Sequence, residues 1–469
     1  MSASCTTAAS LHLERVPSAA SRAHTCHELH DVCLYQRQYV LPDPPQRWRR
    51  LLHVVRVRGV HVGHTEQTLA ATNLFRFRNS TSDPPSLLQP AEYSACVPLV
   101  WWPVWGYNVR RAILAQFGAI RRNRRNSARN YSDTRPPLQV GEFFQNSILP
   151  LAELLAAGAV TRDVLLAPEV GGWPLVDYQL QMLAAFSKWP PTTPARVSPR
   201  CAAGSADGCA PPRCFRKLLL CRFRDVYDRQ PPIAPWSAAQ TIVRAMRRGP
   251  PHAPPPAATV APLRVFFADR SGRGAGKNGA RLITNQAALL DACARWRPPA
   301  ACVKTPPWTA RCELRAFGRR GFRADALAMQ EADVLVGTHG AALVNALFMR
   351  RGGALLEVRP YNFDGAWPDR YHLAMAQREN ATHAFVVRTR NRSLCTPVPP
   401  ANVSAWNARP LNTHVREAAF TAGLAAAACT SGRAAAAGAP LPAVAWSVGA
   451  PLASPVEYSA LPSVFLDNV

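Results

Sequence analysis

The sequence has little lysine, few acidic residues and no long apolar run. Only four of its 55 basic residues are lysine, and 29 acidic residues leave a formal charge of +26. A charge of this size attracts anions such as nucleic acid, acidic glycan or nucleotide phosphate. A bias towards arginine, alanine and proline also arises from a GC-rich coding sequence, and no zinc-finger, RNA-recognition or basic-zipper signature is visible. The charge alone therefore does not predict a nucleic-acid-binding protein.

No Cys-x-x-Cys pair occurs among the 13 cysteines, which argues against a zinc ribbon or a thioredoxin-like site. Dispersed cysteines fit either a secretory protein with disulfides or a cytosolic protein with free thiols, and an odd number leaves at least one thiol unpaired within the chain. Five Asn-x-Ser/Thr sequons favour the secretory alternative slightly. No apolar stretch reaches the roughly 20 residues that span a bilayer, and residues 1–30 lack the apolar core of a signal peptide. The sequence thus shows neither a signal nor an anchor.

Proline-rich and alanine-rich segments divide the 469 residues into predicted regions. This length predicts two globular lobes with unstructured additions. We predict a poorly ordered region over 1–95, an acceptor-side lobe over 96–248, a proline-rich linker over 249–262, a nucleotide-sugar-binding lobe over 263–395 and a low-complexity, alanine-rich tail over 396–469.

Strand and helix patterns alternate in the second predicted lobe. Its predicted strands are Leu263–Ala268, 300–304, 332–336 and 354–358, and helical patterns separate them. This alternation predicts an α/β fold in which helices cover a parallel sheet on both faces. Ligands bind such sheets where the carboxyl ends of the strands turn into helices.

The clearest motif joins a buried strand to a helix through Gly337, His339 and Gly340, and Ala341 opens the helix. Glycine lets the backbone turn sharply and approach a ligand closely. The N–H groups at a helix N-terminus bind pyrophosphate, and His339 can donate a hydrogen bond to phosphate or to the leaving oxygen. A purely structural turn is the alternative.

This segment resembles the signature of glycosyltransferase family 61, which is a close variant of V-G-x-H-G-A-G-L-T-N followed by a glycine and a Glu-x-x-Pro strand. The residues in the corresponding places are Gly337, His339, Gly340, Ala341, Leu343, Asn345, Glu357 and Pro360. Further elements follow the family's order. A strand leads into a turn with Arg270 and Arg273, and the stretch 281–285 resembles the family's arginine-to-asparagine helix start. The resemblance covers roughly residues 138–390.

The resemblance implies the two-lobed GT-B fold, with an active-site cleft between two Rossmann-like lobes. It implies inverting transfer of xylose, arabinose or N-acetylglucosamine from a UDP-sugar to a glycan or glycoprotein, with no metal and no cofactor beyond the donor substrate. It further implies the Golgi or ER lumen and a membrane anchor, which the sequence does not show.

The donor site is predicted from the same resemblance. Arg270 and Arg273 are expected to bind the diphosphate, because a guanidinium fork matches phosphate geometry; a solvated basic loop is the alternative. Glu357 is expected to accept hydrogen bonds from the ribose, unless it is a strand-end glutamate that faces solvent. Asn345 either belongs to the donor site or ties the loop to its neighbours.

The catalytic base is the weakest part of the resemblance. An inverting transferase needs a base for the acceptor hydroxyl, and the family's histidine and aspartate positions hold Glu142 and Asn146 here. Glu142 and Asp325 are therefore candidate catalytic residues together with His339, although Glu142 also reads as a glutamate stabilised at a helix N-terminus. Ala342 and Val344 replace the family's usual glycine and threonine. Two alternatives stay open: a catalytically inactive glycan-binding or scaffold protein, and a basic nucleic-acid binder.

Overall fold

A computed structural model of the chain shows two compact units, Met1–Pro232 and Ile233–Val469. The described residues are 25–35, 38–41, 75–77, 99–103, 140–156, 160–169, 175–191, 213–222, 235–247, 262–271, 281–297, 299, 309–364, 379, 381–430 and 464–468.

The first unit contains a mixed sheet of six strands. They are β1 (Thr25–Tyr35), β2 (Gln38–Leu41), β3 (Phe75–Phe77), β4 (Leu99–Pro103), β5 (Leu165–Glu169) and β6 (Arg213–Arg222). The strand order is β3-β2-β1-β6-β4-β5. β1 runs antiparallel to both of its neighbours, whereas the other pairs are parallel. Three strands of this sheet therefore come from the region predicted to be poorly ordered, 1–95.

Four helical segments accompany the sheet in the described part of the first unit. They are α1 (Val140–Phe143), a π-helical turn (Phe144–Ile148), α2 (Leu149–Ala156) and α3 (Asp177–Ala184). Phe143, Phe144, Ile148 and Leu151 are fully buried, so this helical stretch packs an apolar face into the core of the first unit.

The second unit is built on a parallel sheet, as predicted. Its five central strands are β7 (Leu263–Ala268), β8 (Ala310–Arg315), β9 (Val334–Thr338), β10 (Gly353–Arg359) and β11 (Thr382–Thr389). They lie side by side in the order β8-β7-β9-β10-β11. A short antiparallel pair follows, β12 (Cys395–Thr396) with β13 (Asn412–Thr413), and β14 (Val464–Asn468) extends the parallel sheet next to β11.

Helices accompany this sheet. They are α4 (Pro235–Met246), α5 (Gln286–Arg295), α6 (Phe322–Met329), a 3₁₀ helix (Ala341–Phe348), a short 3₁₀ turn (Arg392–Leu394), α7 (Ala405–Ala408) and α8 (Glu417–Thr430). None of the helices in the described part of the chain combines the length and apolar character needed to cross a membrane.

The predicted strand at 300–304 lies outside the described residues. The sheet also contains β8 (Ala310–Arg315), which the sequence analysis did not predict. β8 is an edge strand whose residues Arg311 and Leu314 are exposed. Its mixed polar sequence lacks the apolar run that marks a buried strand.

The boundary between the units also differs from the predicted linker at 249–262. Helix α4 belongs to the second unit, because Trp236 Nε1 donates to Met349 O at 2.9 Å and Gln240 Nε2 donates to the same oxygen at 3.0 Å. The unit boundary therefore precedes this helix.

The predicted low-complexity tail begins too early. Helix α8 buries Phe420 and Leu424 against the sheet, and the Phe420 and Phe267 rings lie 5.5 Å apart. Ala426, Ala427 and Ala428 are buried in the same core, since small side chains let a helix lie close to a sheet. The second unit thus continues well past residue 395.

Disulfide-bonded cysteines are present in both units. Cys293 in α5 is bonded to Cys312 in β8, and Cys33 and Cys429 are also disulfide-bonded. Cys395 is a buried free thiol, which agrees with the unpaired cysteine that the odd count predicts.

Candidate active site

The candidate site lies at the carboxyl edge of the parallel sheet. Strand β9 is buried throughout and leads into His339 and Gly340, where the 3₁₀ helix begins. β7 pairs with one side of β9 and leads towards Arg270, and β10 pairs with the other side and ends at Arg359. Three loops or strand ends that carry the motif residues therefore meet at one edge.

Two glycines of the motif are required by close packing. A Cβ on Gly337 would lie 2.9 Å from Ala268 Cβ and 3.0 Å from Leu343 Cδ2, so a side chain here would separate β9 from β7 and the 3₁₀ helix. A Cβ on Gly340 would overlap the Arg270 guanidinium and lie 3.4 Å from Arg281 Nη1. The absence of a side chain at Gly340 therefore leaves room for the side chains of Arg270 and Arg281.

The arginines converge on the carbonyl oxygen of His339. Arg281 Nη1 donates to it at 3.1 Å, and Arg270 Nη1 donates to it at 3.4 Å. Thr338 Oγ1 donates to Arg281 O at 2.7 Å, which holds the Arg281 backbone against the end of β9. The structure thus brings the Arg270 turn and the His339 loop together, as the diphosphate hypothesis requires. Arg273 lies outside the described residues.

Arg281 is a site residue that the sequence did not single out. It is buried, and its backbone is left-handed with φ of 50°, a conformation that is uncommon for a residue other than glycine and is often found at functional sites. Burial, with the nearby charges of Arg409 and Arg270, lowers the pKa of Arg281 to about 9. In the sequence, Arg281 stands out only as the first residue of the stretch 281–285. No sequence feature indicates that its side chain contacts the His339 backbone.

His339 is held by a buried ion-pair network. Its Nδ1 lies 2.6 Å from Glu357 Oε1, and Arg359 donates from Nε to the same oxygen at 3.1 Å and from an Nη to Oε2 at 3.2 Å. Glu357 and Arg359 are completely buried and His339 is 5% exposed. Phe363 packs its ring edge-on to the imidazole at 4.8 Å.

The network sets the protonation of His339. Burial lowers the pKa of His339 although Glu357 opposes the effect, so the imidazole is neutral near pH 7. Burial alone would raise the pKa of Glu357, but the charge of Arg359 and the hydrogen bonds from Arg359 and His339 hold it well below its usual range. The ionised Glu357 accepts a hydrogen bond from Nδ1–H, so we assign the proton of the neutral imidazole to Nδ1, and Nε2 is then the basic nitrogen.

Glu357 has a different role from the predicted contact with ribose. It is fully buried, and both of its carboxylate oxygens are engaged by Arg359 and His339. A substrate sugar cannot reach it without breaking this network. Glu357 orients His339 instead, much as a carboxylate orients a histidine in other sites.

The remaining motif residues have structural partners. Asn345 is buried and donates from Nδ2 to Ala342 O at 2.8 Å, so it stabilises the 3₁₀ helix. This contact agrees with the alternative in which Asn345 links the loop to its neighbours. Ala341 opens that helix, and Leu343 N donates to Gly340 O at 2.9 Å. The predicted α-helix is therefore a 3₁₀ helix of the same extent.

Neither candidate base makes a described contact with this cluster. Asp325 Oδ2 accepts a hydrogen bond from Gly318 N at 2.6 Å, so it holds the turn after β8, and burial raises the pKa of this carboxyl. Among the described contacts of Asp325, none reaches His339. Glu142 lies in α1, and its side chain is outside the described part of the chain. A catalytic role for either residue stays a prediction.

A parallel α/β sheet whose carboxyl edge gathers arginines at the start of a helix is typical of proteins that bind phosphate-containing ligands. Residues 178–356 match the family model described as Glycosyltransferase 61. The match includes the Arg270 turn and the His339 loop, and it supports a glycosyltransferase family 61 assignment for this part of the chain. This confirms the resemblance that the motifs indicated, and it supports glycosyltransferase activity in general. No curated protein matches the chain significantly.

Proposed function

We propose that the protein transfers a sugar from a UDP-sugar to a glycan or glycoprotein acceptor. The family match supports sugar transfer, and one observation carries the donor proposal: Arg270 and Arg281 meet at the His339 carbonyl, where Gly340 leaves room beside the start of a helix. Guanidinium groups and helix N–H groups are the partners that a diphosphate prefers.

These groups also account for the chemistry of the leaving group. When the bond between the sugar and UDP breaks, negative charge grows on the diphosphate, and fixed positive groups stabilise it most in the transition state. Arg270 and Arg281 supply this charge in the proposed mechanism, which is inverting and needs no metal. Because the neutral imidazole carries its proton on Nδ1, His339 would donate from Nε2 to the diphosphate only after taking up a second proton, which the negative charge of a bound diphosphate favours.

The acceptor hydroxyl needs a base, and Glu142 is the candidate we propose. A GT-B arrangement, in which the acceptor lobe faces the donor lobe across a cleft, would bring such a residue to the sugar. The donor sugar is proposed to be xylose, arabinose or N-acetylglucosamine, and a thermal-shift screen of the three UDP-sugars would identify it, because a bound ligand raises the melting temperature.

The disulfides support a luminal location for this activity. The Cys293–Cys312 bond and the bonded states of Cys33 and Cys429 are typical of oxidising compartments. We therefore propose the ER or Golgi lumen, in line with the family resemblance.

A catalytically inactive member of the fold is the second candidate. Asn146 stands at the family's aspartate position, and an asparagine side chain cannot act as a base. Such a protein would bind UDP or a glycan without turnover. Transfer to a panel of glycan and glycoprotein acceptors separates the two candidates: turnover by the wild type that Glu142→Gln abolishes supports the enzyme, and clean UDP binding without turnover supports the scaffold.

UDP binding tests the donor site itself. Isothermal titration is expected to show micromolar-range affinity in the wild type and no binding in His339→Ala. The exposed histidine variant His414→Ala is the matched control and should bind like the wild type. Absence of wild-type binding, or unchanged binding by a folded His339→Ala, would refute the donor-site assignment.

A further inference from the structure

The sequon Asn402-Val403-Ser404 lies in a surface turn of the second unit, just before α7. Asn402 and Ser404 are exposed, and Val403 N donates to Pro400 O at 3.2 Å, which closes the turn. Within the described part of the chain, no contact engages the Asn402 side chain. The carboxamide of Asn402 is therefore accessible from solvent.

The residues on either side of Asn402 hold this turn in place. Ala401 O accepts hydrogen bonds from Tyr361 Oη at 3.2 Å and from Asn362 Nδ2 at 3.1 Å. Val403 packs against a small buried apolar cluster. The neighbours thus attach the turn to the second unit, while Asn402 itself stays exposed. A bulky group on Asn402 would displace no packed side chain.

The nearby sequon Asn391-Arg392-Ser393 has a different environment. Asn391 is half-buried, and its Oδ1 accepts hydrogen bonds from Ser393 N at 3.0 Å and from Ser393 Oγ at 2.7 Å. The carboxamide therefore caps the short 3₁₀ turn, and the hydroxyl that the sequon requires is engaged in the same cap. The structure thus distinguishes two sequons that look alike in the sequence.

We propose that Asn402 is a site of N-linked glycosylation and that Asn391 is not. The proposal rests on the luminal location in the proposed function, and it does not depend on UDP binding. An N-linked glycan is bulky and solvated, so the folded chain accommodates it only on an exposed asparagine. The Cys293–Cys312 disulfide is typical of the compartment in which such glycans are added.

The sugar donor for this modification is a lipid-linked oligosaccharide pyrophosphate, and the cell's own oligosaccharide transferase catalyses the step. Asn402 Nδ2 forms a bond to the anomeric carbon of the oligosaccharide and loses a proton. The bond between that carbon and the pyrophosphate oxygen breaks, and the lipid pyrophosphate leaves with the electron pair.

Peptide mass spectrometry after enzymatic deglycosylation in heavy-oxygen water tests the proposal, because each asparagine that carried a glycan becomes a labelled aspartate. The measurement reports each sequon separately. Two samples are compared: the full chain from its own cells, and the full chain with an added cleavable signal peptide from a secretory host. We expect the label at Asn402 in both samples and little or none at Asn391.

Substitutions at Ser404 separate recognition of the sequon from folding. Ser404 Oγ accepts a hydrogen bond from Asn407 N at 3.3 Å as the N-cap of α7, and its hydroxyl also completes the sequon. Ser404→Asp keeps a capping oxygen but removes the hydroxyl, so it should abolish the label at Asn402. Ser404→Thr keeps both and should retain the label. Thermal melting shows whether each variant is folded, and the wild-type occupancy of Asn402 decides the proposal without any variant.

The outcomes separate this modification from the proposed function. If the signal-directed chain carries no glycan at Asn402, or if Asn391 is occupied to the same extent, the assignment from exposure is wrong and the donor-site proposal stands. If only the signal-directed chain is glycosylated, the luminal location fails and the modification fails with it for the natural protein. A label that persists in folded Ser404→Asp would also overturn the proposal. UDP titration decides the donor site independently, since a glycosylated chain that does not bind UDP refutes that site alone.

Discussion

Alanine at position 340 tests whether the space beside the His339 loop belongs to a ligand-binding arginine. The added Cβ would overlap the Arg270 guanidinium, which is the end of a flexible side chain and can move away. The fold should therefore survive while Arg270 is displaced. A hydrogen bond to a charged group contributes about 1.5–3 kcal/mol, so displacement should weaken UDP binding by about 10- to 150-fold.

Isothermal titration of UDP in a double-mutant cycle measures this effect. If Gly340→Ala acts by moving Arg270, it should have almost no further effect in an Arg270→Ala background. Gly318→Ala is the control: its φ is 88° with no atom within 4 Å of the new Cβ, so it should cost about 1–2 kcal/mol of stability and leave UDP affinity unchanged. Unchanged UDP affinity in Gly340→Ala, or full additivity with Arg270→Ala, would refute this reasoning.

Three further predictions concern stability. Glu357→Ala should lower the free energy of unfolding in urea by about 3–5 kcal/mol, because it removes the buried carboxylate that accepts hydrogen bonds from Arg359 and His339. The free energy of unfolding should fall as the pH drops below 6.5, the ordinary pKa of histidine, because His339 takes up a proton in the unfolded state but stays neutral in the folded state. A further loss should begin near pH 4.5, where Glu357 is protonated in the unfolded state but remains ionised in the folded state. Removing the disulfide with Cys293→Ala and Cys312→Ala should cost about 3 kcal/mol, as its cysteines are 19 residues apart.

Each of these predictions has its own control. Glu331→Ala removes an exposed carboxylate and should change unfolding by no more than about 1 kcal/mol, so equal losses in both glutamate variants would contradict the buried network. The pH dependence between 6.5 and 5 should become shallower in His339→Gln, and an unaltered slope would place the proton uptake elsewhere. A reducing agent should lower the melting temperature of the wild type and have a smaller effect on the double cysteine variant.

The local parts of the fold and site could be predicted from sequence. The bounds of β7, Leu263–Ala268, were predicted as they stand in the structure, because a continuous apolar run is a strong signal for a buried strand. The motif at Gly337 and Gly340 is also visible in the sequence, because its residues are neighbours along the chain. The structure shows that each glycine is required by a close contact.

The missed features depend on contacts between distant residues. Arg281 meets His339 across 58 positions, and no local pattern reveals that pairing. The strand pattern around Glu357 does not show whether its side chain faces solvent or the core. Its complete burial beside Arg359 could therefore not be predicted. Helix α8 was assigned to a tail because alanine gives no contrast between buried and exposed faces. In all these cases, tertiary packing decides what local sequence leaves open.

A crystal structure of the protein with bound UDP tests the central claim most directly. The account predicts that diphosphate oxygens lie within about 3.2 Å of the Arg270 and Arg281 guanidinium groups and of an N–H group at the start of the 3₁₀ helix after Gly340. UDP bound away from the His339 loop, with both arginines unchanged, would contradict it.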